Sequence, residues 1–121
     1  MYVSIVLWNL KDSDATVESL REYLRDYAVD AFSTLKGMRM KTWFADAEKG
    51  YWGAVYLWDG AKVGNPLSVS RAIELIGYPP TTTGVFAVEA IAEGVSATES
   101  FVGVGRAFQG ASATNPAGGP A

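Results

Sequence analysis

Apolar residues return along this chain in two rhythms, one of strands and one of helices. Residues 2–8 read Tyr2-Val3-Ser4-Ile5-Val6-Leu7-Trp8, a short β-branched and aromatic run that predicts a strand, closed by Asn9. Behind Ser13 and Asp14, either of which could cap a helix, apolar residues recur at Val17, Leu20, Leu24, Tyr27, Ala28, Ala31 and Leu35. That is the spacing of one helical face. Glu18, Arg21, Glu22, Arg25 and Asp26 fall on the other side, which reads as a solvated helix back rather than a docking surface, and Gly37 is a natural stop.

Residues 38–58 carry the strongest pattern. Met38-Arg39-Met40-Lys41-Thr42-Trp43-Phe44-Ala45 and Tyr51-Trp52-Gly53-Ala54-Val55-Tyr56-Leu57-Trp58 flank the polar turn Asp46-Ala47-Glu48-Lys49-Gly50, the signature of a β-hairpin. Side chains alternate across a strand, so Arg39, Lys41 and Trp43 share one side of the first run, and Trp52, Ala54, Tyr56 and Trp58 share one side of the second. Neither side of the hairpin is polar enough to face water, as expected of a sheet covered on both faces. Two registers stay open: a four-residue loop pairing Trp43 with Trp52, or a turn with a glycine bulge at Gly50 pairing Thr42 with Tyr56.

Residues 59–64, with Gly60 and Gly64, mark a loop, and Asn65-Pro66 is a good helix start. Val69, Ala72, Ile73 and Ile76 give a second helix its stripe, Gly77 ends it, and Tyr78-Pro79-Pro80 forbids its continuation. Residues 83–90 are a fourth strand, apolar on both sides. The order β-α-β-β-α-β predicts an α+β, ferredoxin-like fold, a four-stranded antiparallel sheet with two helices on one face. The other face is then bare and apolar, and a second copy of the chain is its simplest cover, so a homodimer with sheets packed face to face is expected.

Length and composition narrow the picture further. The 121 residues make one domain over 1–109, with a C-terminal arm or extra strand near 98–109 that is expected to reach the other subunit. Residues 110–121, small residues with glycine and proline, read as a flexible tail. The formal net charge is −3 and the basic residues are scattered, which argues against nucleic acid and against an anionic membrane surface. Residues 1–8 are too short for a membrane span and lack the basic start of a signal peptide. The absence of cysteine is compatible with a reducing compartment, and a cytoplasmic location is expected.

Lys41-Thr42-Trp43, the run Gly53-Ala54-Val55-Tyr56-Leu57-Trp58, Ile76-Gly77 and Val85-Phe86-Ala87-Val88 together resemble the YdhR-like mono-oxygenases, within the dimeric α+β barrel group that includes antibiotic-biosynthesis mono-oxygenases. The resemblance covers about residues 2–90 and includes Asn9; the chain departs from it after Glu89. It implies a ligand cavity between sheet and helices. It also implies oxidation of a small aromatic, quinol-like or polyketide-like substrate by molecular oxygen, with no cofactor.

The side-chain inventory accords with that chemistry. With neither histidine nor cysteine, a zinc site of the usual kind, a His- or Cys-held haem, a facial-triad iron and a Ser-His-Asp triad all lack their ligands or bases, and no metal site is expected. An electron-rich phenol, once deprotonated, can itself reduce oxygen, so the protein must bind the ring, stabilise the anion and exclude water. Asn9, Lys41 and Trp43 are the candidate catalytic residues, with Asn9 at the carbonyl. Arg39, Trp52, Tyr56, Trp58 and Phe86 are the candidate substrate-binding residues; Arg39 or Lys41 could hold the phenolate. The base would be a desolvated Lys41, a carboxylate or the substrate's own acidity. At strand spacing the same aromatic residues are more often core or dimer-interface residues than pocket walls. A non-catalytic binder of a hydrophobic small molecule, and an isomerase or cyclase acting on an enolisable substrate, are the alternatives.

Overall fold

The computed structural model describes residues 1–60, 66–95, 101 and 104–109. Within them β1 (Tyr2–Asn9), β2 (Met38–Asp46), β3 (Tyr51–Trp58) and β4 (Thr82–Ala87) hydrogen-bond into one antiparallel sheet ordered β2-β3-β1-β4. The helical segments lie between β1 and β2 and between β3 and β4, an α+β arrangement compatible with a ferredoxin-like fold. No helix among the described residues is long and apolar enough to cross a membrane.

The hairpin takes neither of the two expected registers. Gly50 N donates to Asp46 O (2.8 Å) and Lys49 N to Asp46 Oδ1 (2.9 Å), so Asp46 closes the turn opposite Tyr51; the loop has the four residues 47–50, as in the first expectation, but the strand pairing it sets is a different one. Gly50 sits at φ 76°, a left-handed conformation that suits glycine. The consequence is that Trp43 pairs with Ala54, Lys41 with Tyr56 and Thr42 with Val55, with an irregularity between Met38 and Met40.

The first helix is also shaped by side-chain acceptors. Its cap is Thr16 rather than Ser13 or Asp14, because Thr16 and Ser19 exchange hydrogen bonds in a capping box (2.9 and 3.0 Å). Ser13 instead donates to the carbonyl of Ile76 (2.6 Å), tying the helix entrance to the far end of the second helical segment. Three pieces run on without a break: α1 (Val17–Tyr23), a π-helical turn (Leu24–Ala28) and α2 (Val29–Phe32), with Val29 N donating to Leu24 O. The π turn takes up one more residue than an α turn, so the inward face shifts. Phe32 is buried where strict 3.6 spacing pointed to Ala31.

A single long second helix does not form. A 3₁₀ turn (Pro66–Ser68) is followed by α3 (Ala72–Ile76), and the hydroxyls of Tyr23 and Ser70 accept from Arg71 N and Ala72 N (both 3.1 Å) where helical carbonyls would otherwise serve. Gly77, at φ 104°, ends α3 as expected. The loop beyond Gly60, the helix start at Asn65 and the tail 110–121 lie outside the described residues, as do 96–100 and 102–103 of the expected arm. The described residues 104–109 form a turn, and it docks on the chain's own helix: Ala107 is buried and its carbonyl accepts from Arg25 Nη1 (2.7 Å).

One core joins Val17, Leu20, Leu24, Ala28 and Phe32 of the first helix, and Ala72 and Ile76 of α3, to the sheet face carrying Trp8, Trp52, Ala54, Tyr56 and Trp58. Alternation sends Ile5 and Leu7 of β1, Val55 and Leu57 of β3, Met40 and Phe44 of β2 and Phe86 of β4 to the opposite face. Phe44 and Phe86 are 40% and 58% exposed there.

Gly53 lies under the Phe44 ring on that open face, and a Cβ built on it would stand 2.6 Å from the Val6 carbonyl oxygen, whereas at Gly60 a Cβ meets nothing within 4 Å. Gly53→Ala is therefore expected to destabilise by about 1–3 kcal/mol, the usual cost of overpacking, and Gly60→Ala by less than about 0.5 kcal/mol. Urea midpoints of the two variants check this; equal midpoints would contradict it.

Candidate functional site

β2 is an edge strand, and its register sets Lys41 on the helix side of the sheet, beside Tyr56 of β3, with Trp43 two residues along. The π turn brings Phe32 over the same place. Lys41 Nζ lies 3.4 Å from the Phe32 ring centroid and 4.4 Å from the centroids of both Trp43 and Tyr56. Phe32 meets Trp43 and Tyr56 edge-on (5.7 and 6.1 Å), and Tyr56 stacks on Trp58 at 5.2 Å and 11°. Trp58 is fully buried and donates through Nε1 to Ser4 Oγ (2.8 Å), the buried polar atom that satisfies its indole. The result is an aromatic box around one amine, at the sheet's edge, where Lys41 and Trp43 are only half-buried.

Among the described residues no carboxylate lies within ion-pair distance of Lys41; the two ion pairs are Arg21 with Glu18 and Arg39 with Asp59. Burial without a counter-charge penalises the ammonium and pushes the Lys41 amine down from 10.5 to about 6. Ring faces attract a cation, by about 2 kcal/mol when desolvated, and that opposes the shift. Desolvation of the ammonium is the larger influence, and the amine lies below its usual value. Tyr56 moves the other way: burial first, and the neighbouring Tyr23 phenol second, raise its hydroxyl, which stays protonated. The Tyr23 hydroxyl is itself held by Arg71 N. An uncharged amine and a protonated phenol side by side form a base and a hydrogen-bond donor with opposed preferences.

The other expected site residues are distributed over the fold. Trp52 and Trp58 share the helix side with Lys41, Trp43 and Tyr56, but Trp52 pairs with Trp8 and Ala45 toward the hairpin end. Arg39 falls at the irregularity in β2 and pairs with Asp59 at the surface (3.3 Å). Phe86 stands on the open face. Asn9 accepts from Lys11 N through Oδ1 (3.0 Å) and belongs to a cleft of about 290 Å³ with Lys11, Asp12, Tyr78 and Thr81. Five residues of strand separate its level from that of Lys41, roughly 17 Å, so the two do not act on one small substrate within a chain. A second cleft, about 530 Å³ between α1 and α3, is lined by Asp14, Glu22, Asp26, Tyr27 and Arg71, with the Tyr23 ring among its walls. Phe32 and Tyr23 are the site residues that sequence reasoning missed. Phe32 is out of phase with the stripe, and the π turn that corrects the phase has no mark in the sequence beyond the aromatic spacing Tyr23, Tyr27, Phe32.

No protein-family model matches this chain, and no curated protein is significantly similar to it.

A lysine whose folded-state pKa lies below its unfolded value binds fewer protons folded than unfolded between the two. Its contribution to stability is complete only above about 10.5 and is lost as pH falls toward about 6. Lys41→Met is expected to stabilise the protein at neutral pH by on the order of 3 kcal/mol, an advantage that shrinks as pH rises. Urea unfolding of both proteins from pH 6 to 9 measures it; a difference that stays constant across that range would mean that the amine keeps its charge.

Proposed function

We propose that the protein is a cofactor-independent mono-oxygenase of a small aromatic, quinol-like or polyketide-like substrate. In this reading it is a βαββαβ, ferredoxin-like member of the dimeric α+β barrel group and acts in the cytoplasm. The observation that carries the reading is the pairing of an uncharged Lys41 with a protonated Tyr56 in one aromatic box. Trp43 and Phe32 offer ring faces to a flat substrate entering from the β2 edge, Lys41 takes the proton of an acidic O–H or C–H, and Tyr56 donates to the oxygen on which the negative charge settles. The substrate anion then passes an electron to oxygen, the radical pair joins as a peroxide, and loss of water leaves a carbonyl. A CH₂ group and O₂ become C=O and H₂O, so the substrate supplies every electron and no outside reductant enters.

The homodimer belongs to the same proposal. Strands of six to nine residues, four abreast, span roughly 26 Å by 19 Å, about 500 Å², and the open face of that sheet carries scarcely any charge. An apolar face of this size stands at the upper end of what monomers leave uncovered, and such patches are often functional. An apolar face with scarcely any charge suits a two-fold partner, and Phe86 then serves the interface rather than the substrate.

Two measurements test these statements. Oxygen uptake with anthrone in chelator-treated buffer is expected for the wild type and to fall by about 100-fold or more in Lys41→Met. Turnover without oxygen consumption would replace the oxygenase by an isomerase or cyclase using the same base, and binding without turnover by a carrier. Sedimentation equilibrium at micromolar concentration is expected to give a dimer that Leu57→Asp converts to monomer; a wild-type monomer would refute the face-to-face pairing.

A further inference from the structure

Lys41 has a second chemistry open to it, one in which the amine is a nucleophile rather than a base. An ammonium in water is protonated, strongly hydrated and inert toward carbonyl carbon, and Lys11, Lys36 and Lys49 are exposed in that way. The Lys41 nitrogen instead lies against three rings with no carboxylate within ion-pair distance among the described residues, the environment that turns a lysine into an amine nucleophile. From the geometry of this box we infer that Lys41 forms an imine with aromatic aldehydes and aryl ketones, with Tyr56 assisting the loss of water.

The surroundings choose the carbonyl compound. Three walls of the box are ring faces, which favour a flat aromatic group. Arg39, the cation nearest in sequence, is turned to the surface by Asp59 and does not wait for a carboxylate or phosphate on the ligand. The carbonyl compound is therefore uncharged. In the first step Nζ attacks the carbonyl carbon, the C–N bond forms, and the π pair moves to oxygen, which takes a proton from nitrogen to give a neutral carbinolamine. In the second, the C–O bond breaks as the Tyr56 hydroxyl delivers its proton to the departing hydroxide. The nitrogen lone pair closes the C=N bond, and the remaining N–H proton returns to the Tyr56 oxygen. Amine and carbonyl become imine and water, with no change of oxidation level. Carbinolamine and imine are uncharged, and they suit a dry box better than a free ammonium does.

The inference rests on the same uncharged Lys41 as the oxygenase reading but not on its reaction with oxygen, so the experiment is run without oxygen. The full-length wild type is incubated anaerobically with limiting benzaldehyde and cyanoborohydride at neutral pH, and the reduced adduct is located by peptide mass spectrometry. Modification at Lys41 is expected to exceed that at Lys11, Lys36 or Lys49 by about tenfold or more. Tyr56→Phe is expected to slow adduct formation by about tenfold while Lys41 remains the labelled residue. Label spread evenly over the lysines, or absent from Lys41, would overturn the inference, and because the mapping is done on the wild type, a variant that fails to fold does not blur it. An adduct at Lys41 from a protein that consumes no oxygen would sink the oxygenase reading alone; oxygen uptake from a protein that forms no adduct would sink this one alone.

Discussion

The helical layer covers one face of a sheet whose strands are apolar on both. That mismatch governs the molecule, since strand side chains alternate and a given register commits every second residue to the dry side. On the helix side, Trp8, Trp52, Tyr56 and Trp58 are nearly inaccessible and pack with the first helix and α3 into a single core. On the far side Met40, Phe44 and Phe86 lie exposed. The two faces thus have different fates although their sequences are similarly apolar.

The same alternation explains how a lysine comes to sit among aromatic rings. Lys41 shares its face with Trp43 because they are two residues apart, and Tyr56 opposite belongs to the most deeply buried strand. A charged residue on that face has to reach water, find a counter-charge or lose its proton. Its position on an edge strand gives partial exposure, no carboxylate pairs with it among the described residues, and the proton is the part that yields. The chemistry proposed for Lys41, as base or as nucleophile, starts from that one displacement.

The π turn has a comparable reach. By taking an additional residue at Leu24–Ala28 it rotates α2 so that Phe32 closes the box and Tyr23 stays dry beside Tyr56, its hydroxyl holding the start of α3 through Arg71 N. The helix therefore both covers the sheet and supplies two of the site's aromatic residues. Asn9 and the clefts at the other end and on the outer helix surface stand apart from this cluster, so a substrate that used both ends would have to be long or be shared between protomers.

Much of the architecture was written in local patterns. The apolar strand runs at 2–8 and 51–58, the helical stripe from Val17 and the stop at Gly77 all reappear, because each depends on alternation, amphipathicity or a backbone angle that neighbouring residues impose, whereas the first helix ends at Phe32, short of the expected stop at Gly37. Lys41, Trp43, Tyr56 and Trp58 were legible as a set for the same reason. Tertiary structure alone decided what depends on partners far along the chain. The hairpin register turned on Asp46 gripping two backbone amides, the second helical segment was cut short by the hydroxyls of Tyr23 and Ser70, and Phe32 was brought in by a π turn that no periodicity announces. Alternation tells which residues share a face; only the packed helix tells which face is dry, and with it whether a lysine keeps its proton.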